Sequence, residues 1–106
     1  MTRYRKKPVI IEAVQMTETL RWDLRSWPTW LTAAWNKSSS AVGSMYPDPS
    51  DATKAKLCIR TAEGVQNVAW NDFIIQDVLA GLFPCKPDIF KLTYMPFDKA
   101  ADLAAG

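Results

Sequence analysis

The side chains that could perform chemistry are few in this chain, and none of them falls into a pattern typical of an active site. The sequence contains no histidine, so the commonest general base and the commonest metal ligand are both missing. Cys85 is followed by Lys86, whose charge could lower the pKa of the thiol. Prolines at both ends of this pair, Pro84 and Pro87, instead favour a rigid, packed corner.

Three carboxylates, Asp72, Asp77 and Asp88, lie close together in sequence. Asp72 and Asp88 fall at a predicted turn and a predicted helix start, where they have structural roles. The sequence shows no phosphate-binding loop, no dinucleotide fingerprint and no metal-ligand spacing. We therefore expect a protein that is not an enzyme and that carries no cofactor or metal.

Length and composition indicate one small domain, and neither favours a membrane or an extended nucleic acid as its partner. The 106 residues can bury a single modest core. A net charge of +2 is too near balance to indicate an anionic partner on its own. No apolar run reaches the roughly 18 residues that span a bilayer, and no signal-peptide core follows the N-terminus. We expect a cytoplasmic protein whose two cysteines, Cys58 and Cys85, are buried free thiols.

The five tryptophans are unusual for so short a chain. They indicate either a core built on large aromatic side chains or an aromatic binding surface. Steps of four, three, four and four residues, typical of an amphipathic helix, separate Leu20, Leu24, Trp27, Leu31 and Trp35. Trp22 and Trp30 fall off this stripe, so they either widen the buried face or are exposed as contact residues.

Pro28 interrupts the helical stripe because it lacks an N–H and clashes with the preceding turn. We predict two short helices, at about 18–25 and 27–36, or one kinked helix. Thr17 is a suitable N-cap for the first helix, and Ser26 is a plausible N-cap for the second.

The N-terminal strand is predicted over residues 9–16, after Pro8. Both of its faces are mostly apolar, so we expect a central strand that is covered on both sides. A glycine-bearing turn at Glu63-Gly64 predicts a type I′ hairpin. Four short strands separated by tight turns, an antiparallel meander, are predicted over residues 55–62, 65–70, 73–78 and 81–84.

The segment at 36–54 is rich in serine, glycine, proline and aspartate, which predicts a long loop with Met45 and Tyr46 as its one anchor. Pro87 is predicted to begin a short helix, with Asp88 in its first turn. Together these elements predict an α+β domain over residues 1–97. A small antiparallel sheet of about five strands packs against one kinked or two short helices, and residues 98–106 form a flexible tail.

The chain resembles a family of small bacteriophage and prophage proteins in three segments: RYRKKPVIIEAVQ at 3–15, TAEG at 61–64 and DFIIQDVLAGLFPCKPDIFKLTY at 72–94. These segments comprise 40 of the 106 residues, and the Pro-Cys-Lys-Pro-Asp-Ile-Phe signature at 84–90 is long and unusual in composition. The chain departs from the family at Asn71, where glycine is usual, and at Ala62, where leucine is common. The resemblance implies a phage origin and transfers no active-site residues.

Three functions follow as hypotheses. The first is a phage accessory protein in the host cytoplasm that binds a host protein, for example as an inhibitor of an anti-phage defence system. It would use the aromatic and sulfur-bearing residues of the segments that vary, Trp22, Trp30, Met45 and Tyr46. The second is a binding module for a nucleotide-like ligand or nucleic acid. It would contact phosphates through Arg3, Arg5, Lys6 and Lys7. The third is a small virion-associated structural protein.

Overall fold

The computed structural model describes residues 2–4, 10–78 and 81–96. In this part of the chain, one strand and three short helical segments precede five consecutive strands and a final helix. In chain order, the elements of this described part are β1 (Glu12–Gln15), α1 (Glu18–Trp22), a 3-10 turn (Leu24–Ser26), α2 (Thr29–Trp35), β2 (Met45–Pro47), β3 (Leu57–Thr61), β4 (Gly64–Val68), β5 (Phe73–Asp77), β6 (Gly81–Cys85) and α3 (Pro87–Thr93). The predicted tail at 98–106 and the basic residues Arg5, Lys6 and Lys7 lie outside the described residues.

The strands form two antiparallel sheets of three strands each, which confirms the α+β class. The order is β1-β5-β6 in the first sheet and β2-β3-β4 in the second. We expected one continuous meander, but β4 and β5 are not paired with each other. Asn71, with φ of +73°, turns the chain at this point. Its N–H donates to the carbonyl of Met16, while the N–H of Met16 donates to the carbonyl of Asp72. The chain therefore leaves β4 to join β1.

The hydrophobic core lies between the two sheets and α2. The first sheet contributes Ile74 and Leu82, and the second contributes Leu57, Ile59 and Val68. Met16, Trp27, Leu31, Ala34 and Met45 complete the buried cluster. Burial of each large aliphatic side chain contributes about 1.5–3 kcal/mol, so this shared core holds the two sheets together.

α3 packs against the opposite face of the first sheet through an aromatic contact. The rings of Phe73 on β5 and Phe90 on α3 are stacked 3.8 Å apart and are almost parallel. Side chains alternate between the faces of a strand, so the fully buried Ile75 shares this face with Phe73. The helix begins at Pro87, with Asp88 in its first turn, as predicted.

The first strand is an edge strand, and the prediction of a central strand covered on both sides is wrong. Among the described strands, β1 pairs with β5 alone. Ile10, Glu12 and Ala13 are exposed. β1 is the outer strand in the order β1-β5-β6, so no described strand lies along its other edge. The segment therefore stays partly exposed although many of its side chains are apolar.

The helical segment is divided as predicted, but at different residues. Thr17 caps α1, since its Oγ1 accepts from the N–H of Leu20 at 3.0 Å. Pro28, rather than Ser26, is the N-cap of α2. The 3-10 turn between the helices changes the phase of the apolar stripe. Leu24, expected in the core, is therefore exposed.

Two turns also differ from the predictions. In the hairpin between β3 and β4, Thr61 pairs with Gly64, so Ala62 and Glu63 form the turn. Neither has the positive φ that a type I′ turn requires, and Gly64 has φ of +124° instead. The segment predicted as a loop at 36–54 contains β2, which pairs with β3. No helix of the described residues is long and apolar enough to cross a membrane.

Candidate protein-binding surface

Arg21 is a charged side chain buried at the C-terminal end of α1. The residue is only 5% exposed. Its Nε donates to the carbonyl of Ala55 at 2.8 Å, and its Nη2 donates to the carbonyl of Lys54 at 3.0 Å. A cation in the last turn also compensates the negative end of the helix dipole. Arg21 thus connects α1 to the loop between β2 and β3.

Two indole rings flank the guanidinium of Arg21. Its Cζ lies 4.4 Å from the ring centroid of Trp22 and 5.1 Å from that of Trp35. Such cation–π contacts contribute about 0.5–2 kcal/mol each, with the larger values where the cation is desolvated. Trp22 is nevertheless 64% exposed. One part of this indole is therefore held against Arg21, while most of its surface faces solvent.

The charge of Arg21 is not matched by a carboxylate within the described part of the chain. The ion pair between Lys86 and Asp72, with 3.3 Å between Nζ and Oδ2, does not involve Arg21. Desolvation by burial lowers the pKa of Arg21, but a guanidinium stays charged at any physiological pH. Carbonyl oxygens and aromatic rings stabilise this cation in place of an acidic side chain.

Trp27 and Trp35 fix the helices behind this site. Trp27 is buried, and its Nε1 donates to the carbonyl of Leu20 at 2.8 Å. Its ring meets that of Trp35 edge to face, with centroids 5.6 Å apart and planes at 87°. This geometry is among the preferred arrangements for aromatic pairs. These contacts hold α1 and α2 in one orientation relative to each other. They thereby also fix the position of Arg21 and Trp22 at the end of α1.

The loop that receives Arg21 is ordered by side-chain hydrogen bonds to its own backbone. Asp51 accepts from the N–H and the Oγ1 of Thr53 and from the N–H of Lys56. These bonds, with that from Lys56 the largest cause, lower the pKa of Asp51 to about 2. Asp48 accepts from the N–H and hydroxyl of Ser50 in the same way. The carbonyls that bind Arg21 are therefore part of a defined turn.

The predicted contact residues have different positions in the structure. Trp22 is exposed, whereas Trp30 is half-buried and packs against the core. Tyr46 is half-buried on β2 opposite Cys58, on the face of the second sheet that points away from the core. Met45 is fully buried in the core cluster, so the prediction that it contacts a partner is wrong. The alternation of β2 places its side chain inward.

The predicted anion-binding arm is described only at Arg3, which is exposed. The other members, Arg5, Lys6 and Lys7, lie outside the described residues. Within the described part of the chain, no cluster of three or more histidine, cysteine or acidic side chains could hold a metal ion.

Both cysteines are free thiols, with Cys58 buried and Cys85 half-buried. Desolvation raises the pKa of each thiol. A raised pKa reduces the thiolate fraction, which is the reverse of what an activated nucleophile requires. The Lys86 ammonium, the neighbour that could have activated Cys85, instead pairs with Asp72.

Sequence reasoning missed Arg21 and Trp35 as parts of this surface. A charged residue in a short helix is normally solvent-exposed, and Trp35 was predicted as a member of the buried stripe. One signal in the sequence could have identified Arg21. It lies in the last turn of a helix, directly before a tryptophan, Trp22, that falls off the apolar stripe. No family model, curated protein or solved structure matches this chain.

Proposed function

We propose that this chain is a non-enzymatic phage accessory protein that binds a host protein in the host cytoplasm through a surface centred on Trp22. The observation that supports the proposal is the exposed indole of Trp22, held in position by the buried guanidinium of Arg21. Tryptophan and arginine are among the residue types enriched where alanine substitution weakens protein binding most.

Pre-organisation of Trp22 favours binding. An exposed side chain usually loses rotamer freedom when a partner covers it, which opposes association. The guanidinium of Arg21 already restricts the indole, and two backbone carbonyls restrict the guanidinium in turn. A partner that covers Trp22 therefore pays little of this ordering cost.

The chemistry of the site also suggests what the partner presents. An apolar or aromatic side chain would cover the open part of the indole. An acidic group at the rim would be attracted by the charge of Arg21 without direct contact, since Arg21 is itself buried. Both features are ordinary components of a protein interface, with an apolar centre and a polar rim.

The phage context comes from the resemblance of the two ends of the chain, including the signature at 84–90, to phage and prophage proteins. That context favours a host protein as the partner, and a defence component is one such partner. Inhibition would follow if the Trp22 surface covers a site that the host protein needs for its own activity.

The test is affinity capture from host lysate with the wild-type chain and with Trp22→Ala, followed by purification of the captured protein and measurement of Kd. We expect Trp22→Ala to weaken binding at least about 30-fold, since such central residues contribute 2 kcal/mol or more. Trp22→Phe should retain part of the affinity, because it keeps an aromatic ring. Leu92→Ala is the control, since Leu92 is an apolar residue on α3 that is even more exposed than Trp22.

Native mass measurement of the purified protein separates this proposal from the alternatives. A nucleotide that co-purifies at one equivalent would contradict it and support the ligand-binding module. Incorporation of the chain into purified virions, with unchanged affinity of Trp22→Ala for every host protein, would support the structural role.

A further inference from the structure

The two three-stranded sheets have four edge strands, β1 and β6 in the first sheet and β2 and β4 in the second. An edge strand presents unpaired N–H and C=O groups to which another strand can add. Natural proteins protect such edges with proline, charged side chains, short length or a covering element. The four edges of this chain differ in that respect.

The hydrogen bonds of Arg60 show which groups of β4 point outward. The N–H of Arg60 donates to the carbonyl of Ser44, and its carbonyl accepts from Gly43, so the main chain of Arg60 faces β2. Successive residues of a strand face opposite neighbours, and Ile59 and Thr61 consequently face β4.

The register then assigns the residues of β4 itself. Gln66 pairs with Ile59 and faces β3, whereas Val65 pairs with Arg60 and Asn67 pairs with Cys58. Arg60 and Cys58 face away from β4. The N–H and C=O groups of Val65 and Asn67 therefore point out of the sheet at its free edge.

The same alternation shows that prolines protect the edges of β2 and β6. Cys58 faces β2 and pairs with Tyr46, so Pro47 is the next residue outward. In the first sheet, Met16 exchanges bonds with Asn71 and Asp72, which places Ile74 toward β1. Its partner Pro84 then points outward from β6. Each proline removes an N–H from an outer edge.

β4 has no such protection. Its sequence, Gly-Val-Gln-Asn-Val, contains no proline and no charge, whereas β1 carries Glu12. The four residues from Gly64 to Asn67 are all exposed. Among the described edges, β4 is thus the one that offers outward donors and acceptors along an uncharged and uncovered strand.

We propose that β4 pairs antiparallel with β4 of a second copy of this chain, about a two-fold axis at Gln66. In this register Val65 lies opposite the partner's Asn67, and Asn67 opposite the partner's Val65. Each outward N–H then meets an outward C=O. Glu63 lies opposite the partner's Ala69, so no like charges meet. The result is a six-stranded sheet that runs through both copies.

The strand is self-complementary under this symmetry, and this favours a second copy over an extended segment of another protein. A two-fold axis centred on Val65 would leave Asn67 opposite the turn residue Glu63. An axis centred on Asn67 would leave Val65 opposite Ala69, whose N–H already donates to Asp72. The contact is short compared with a standard interface, so association is a concentration-dependent equilibrium. The surface around Trp22 is not part of this contact.

The test is sedimentation velocity and native mass spectrometry of the full chain from micromolar to millimolar concentration. We expect the wild type to change from monomer to dimer across this range. Gln66→Lys and Gln66→Glu should each shift the equilibrium toward monomer several-fold, because like charges then lie directly opposite each other. An equimolar mixture of the two variants should restore a heterodimer.

A backbone variant tests the same contact independently. Val65→Pro removes an outward N–H, leaves the pairing of β4 with β3 intact, and should raise the dimer Kd about tenfold or more. Val65→Thr keeps the N–H and should dimerise as the wild type does. Circular dichroism confirms that each variant is folded. A wild type that stays monomeric at millimolar concentration, or a dimer unaffected by the charge variants, would overturn the proposal. Trp22→Ala should leave dimerisation unchanged, which separates this contact from the proposed host-binding surface.

Discussion

Arg21 and Trp22 are adjacent in sequence, and the guanidinium of the first lies over the indole of the second, 4.4 Å from its centroid. One of these residues is buried and the other is mostly exposed. At the end of α1, Arg21 is therefore hydrogen-bonded to backbone carbonyls, while Trp22 faces solvent. This relationship connects the packing of α1 to the candidate binding surface.

The packing of Arg21 predicts that Arg21→Lys destabilises the fold. Lysine keeps the charge but cannot donate to both carbonyls from a planar group or stack between two rings. We expect the free energy of unfolding to fall by about 1–3 kcal/mol, as measured by urea denaturation followed by circular dichroism. Arg25→Lys, at an exposed position, is the control and should change stability by less than about 0.5 kcal/mol. Equal effects of the two substitutions would show that the buried bonds of Arg21 are unimportant.

Replacement of each tryptophan with alanine should lower the free energy of unfolding by an amount that depends on how deeply the side chain is buried. Trp27→Ala removes a core side chain and a hydrogen bond to Leu20, so a loss of about 3–5 kcal/mol is expected. Trp22→Ala should cost only about 0.5–2 kcal/mol, because it loses the cation–π contact with Arg21 while most of the ring faces solvent. Trp30→Ala should fall between them, since Trp30 packs against the core. If thermal denaturation shows that Trp22→Ala unfolds the protein, the candidate surface is structural.

The stack of Phe90 on Phe73 should determine whether α3 stays attached to the first sheet. Phe90→Ala removes the stacked ring and should cost about 1–3 kcal/mol. Hydrogen exchange should show faster exchange of the Tyr94 amide, which donates to the carbonyl of Phe90. Leu92→Ala on the same helix should have almost no effect, because that side chain is 89% exposed. Unchanged exchange in Phe90→Ala would mean that other contacts hold the helix.

The lowered pKa of Asp51 predicts a specific dependence of folding stability on pH. Its pKa is about 2 in the folded chain, below the ordinary value of about 3.9 for an unfolded chain. The contribution of its carboxylate is therefore fully present above that ordinary value and is lost as the pH falls toward 2.

The corresponding measurement compares urea unfolding of the wild type with that of Asp51→Asn across this pH range. We expect the stability difference between them to shrink as the pH falls, because the wild-type carboxyl becomes neutral as well. Glu63→Gln, in the other hairpin turn, controls for the loss of one negative charge. A difference that stays constant with pH would assign the effect to hydrogen-bond geometry rather than to charge.

Much of the secondary structure could be predicted because its signals are local. The alternating residues of β3 and β5, the first-turn proline of α3 and the N-cap Thr17 act within a few residues of where they stand. The pairing of strands could not be predicted in the same way. Which strand lies beside another depends on contacts between distant parts of the chain. For this reason a single sheet was predicted, whereas the structure has two.

The candidate surface was predictable only in part. Trp22 lies off the apolar stripe and is exposed. Met45 and Tyr46, by contrast, are candidates only because of their residue types. Met45 proved to be a core residue because β2 pairs with β3, an arrangement that a loop-like sequence at 36–54 did not indicate. Burial depends on which distant segment covers a side chain, and no local pattern encodes that.

Local sequence patterns were sufficient for the α+β class, the approximate positions of the later strands and the break in the helical segment at Pro28. The burial of Arg21, the edge positions of β1 and β4 and the exposure of Trp22 follow only from the packed chain. The two groups differ in the range of the interactions behind them. Backbone preferences act over one or two turns, whereas the carbonyls that bind Arg21 come from a loop more than 30 residues further along the chain.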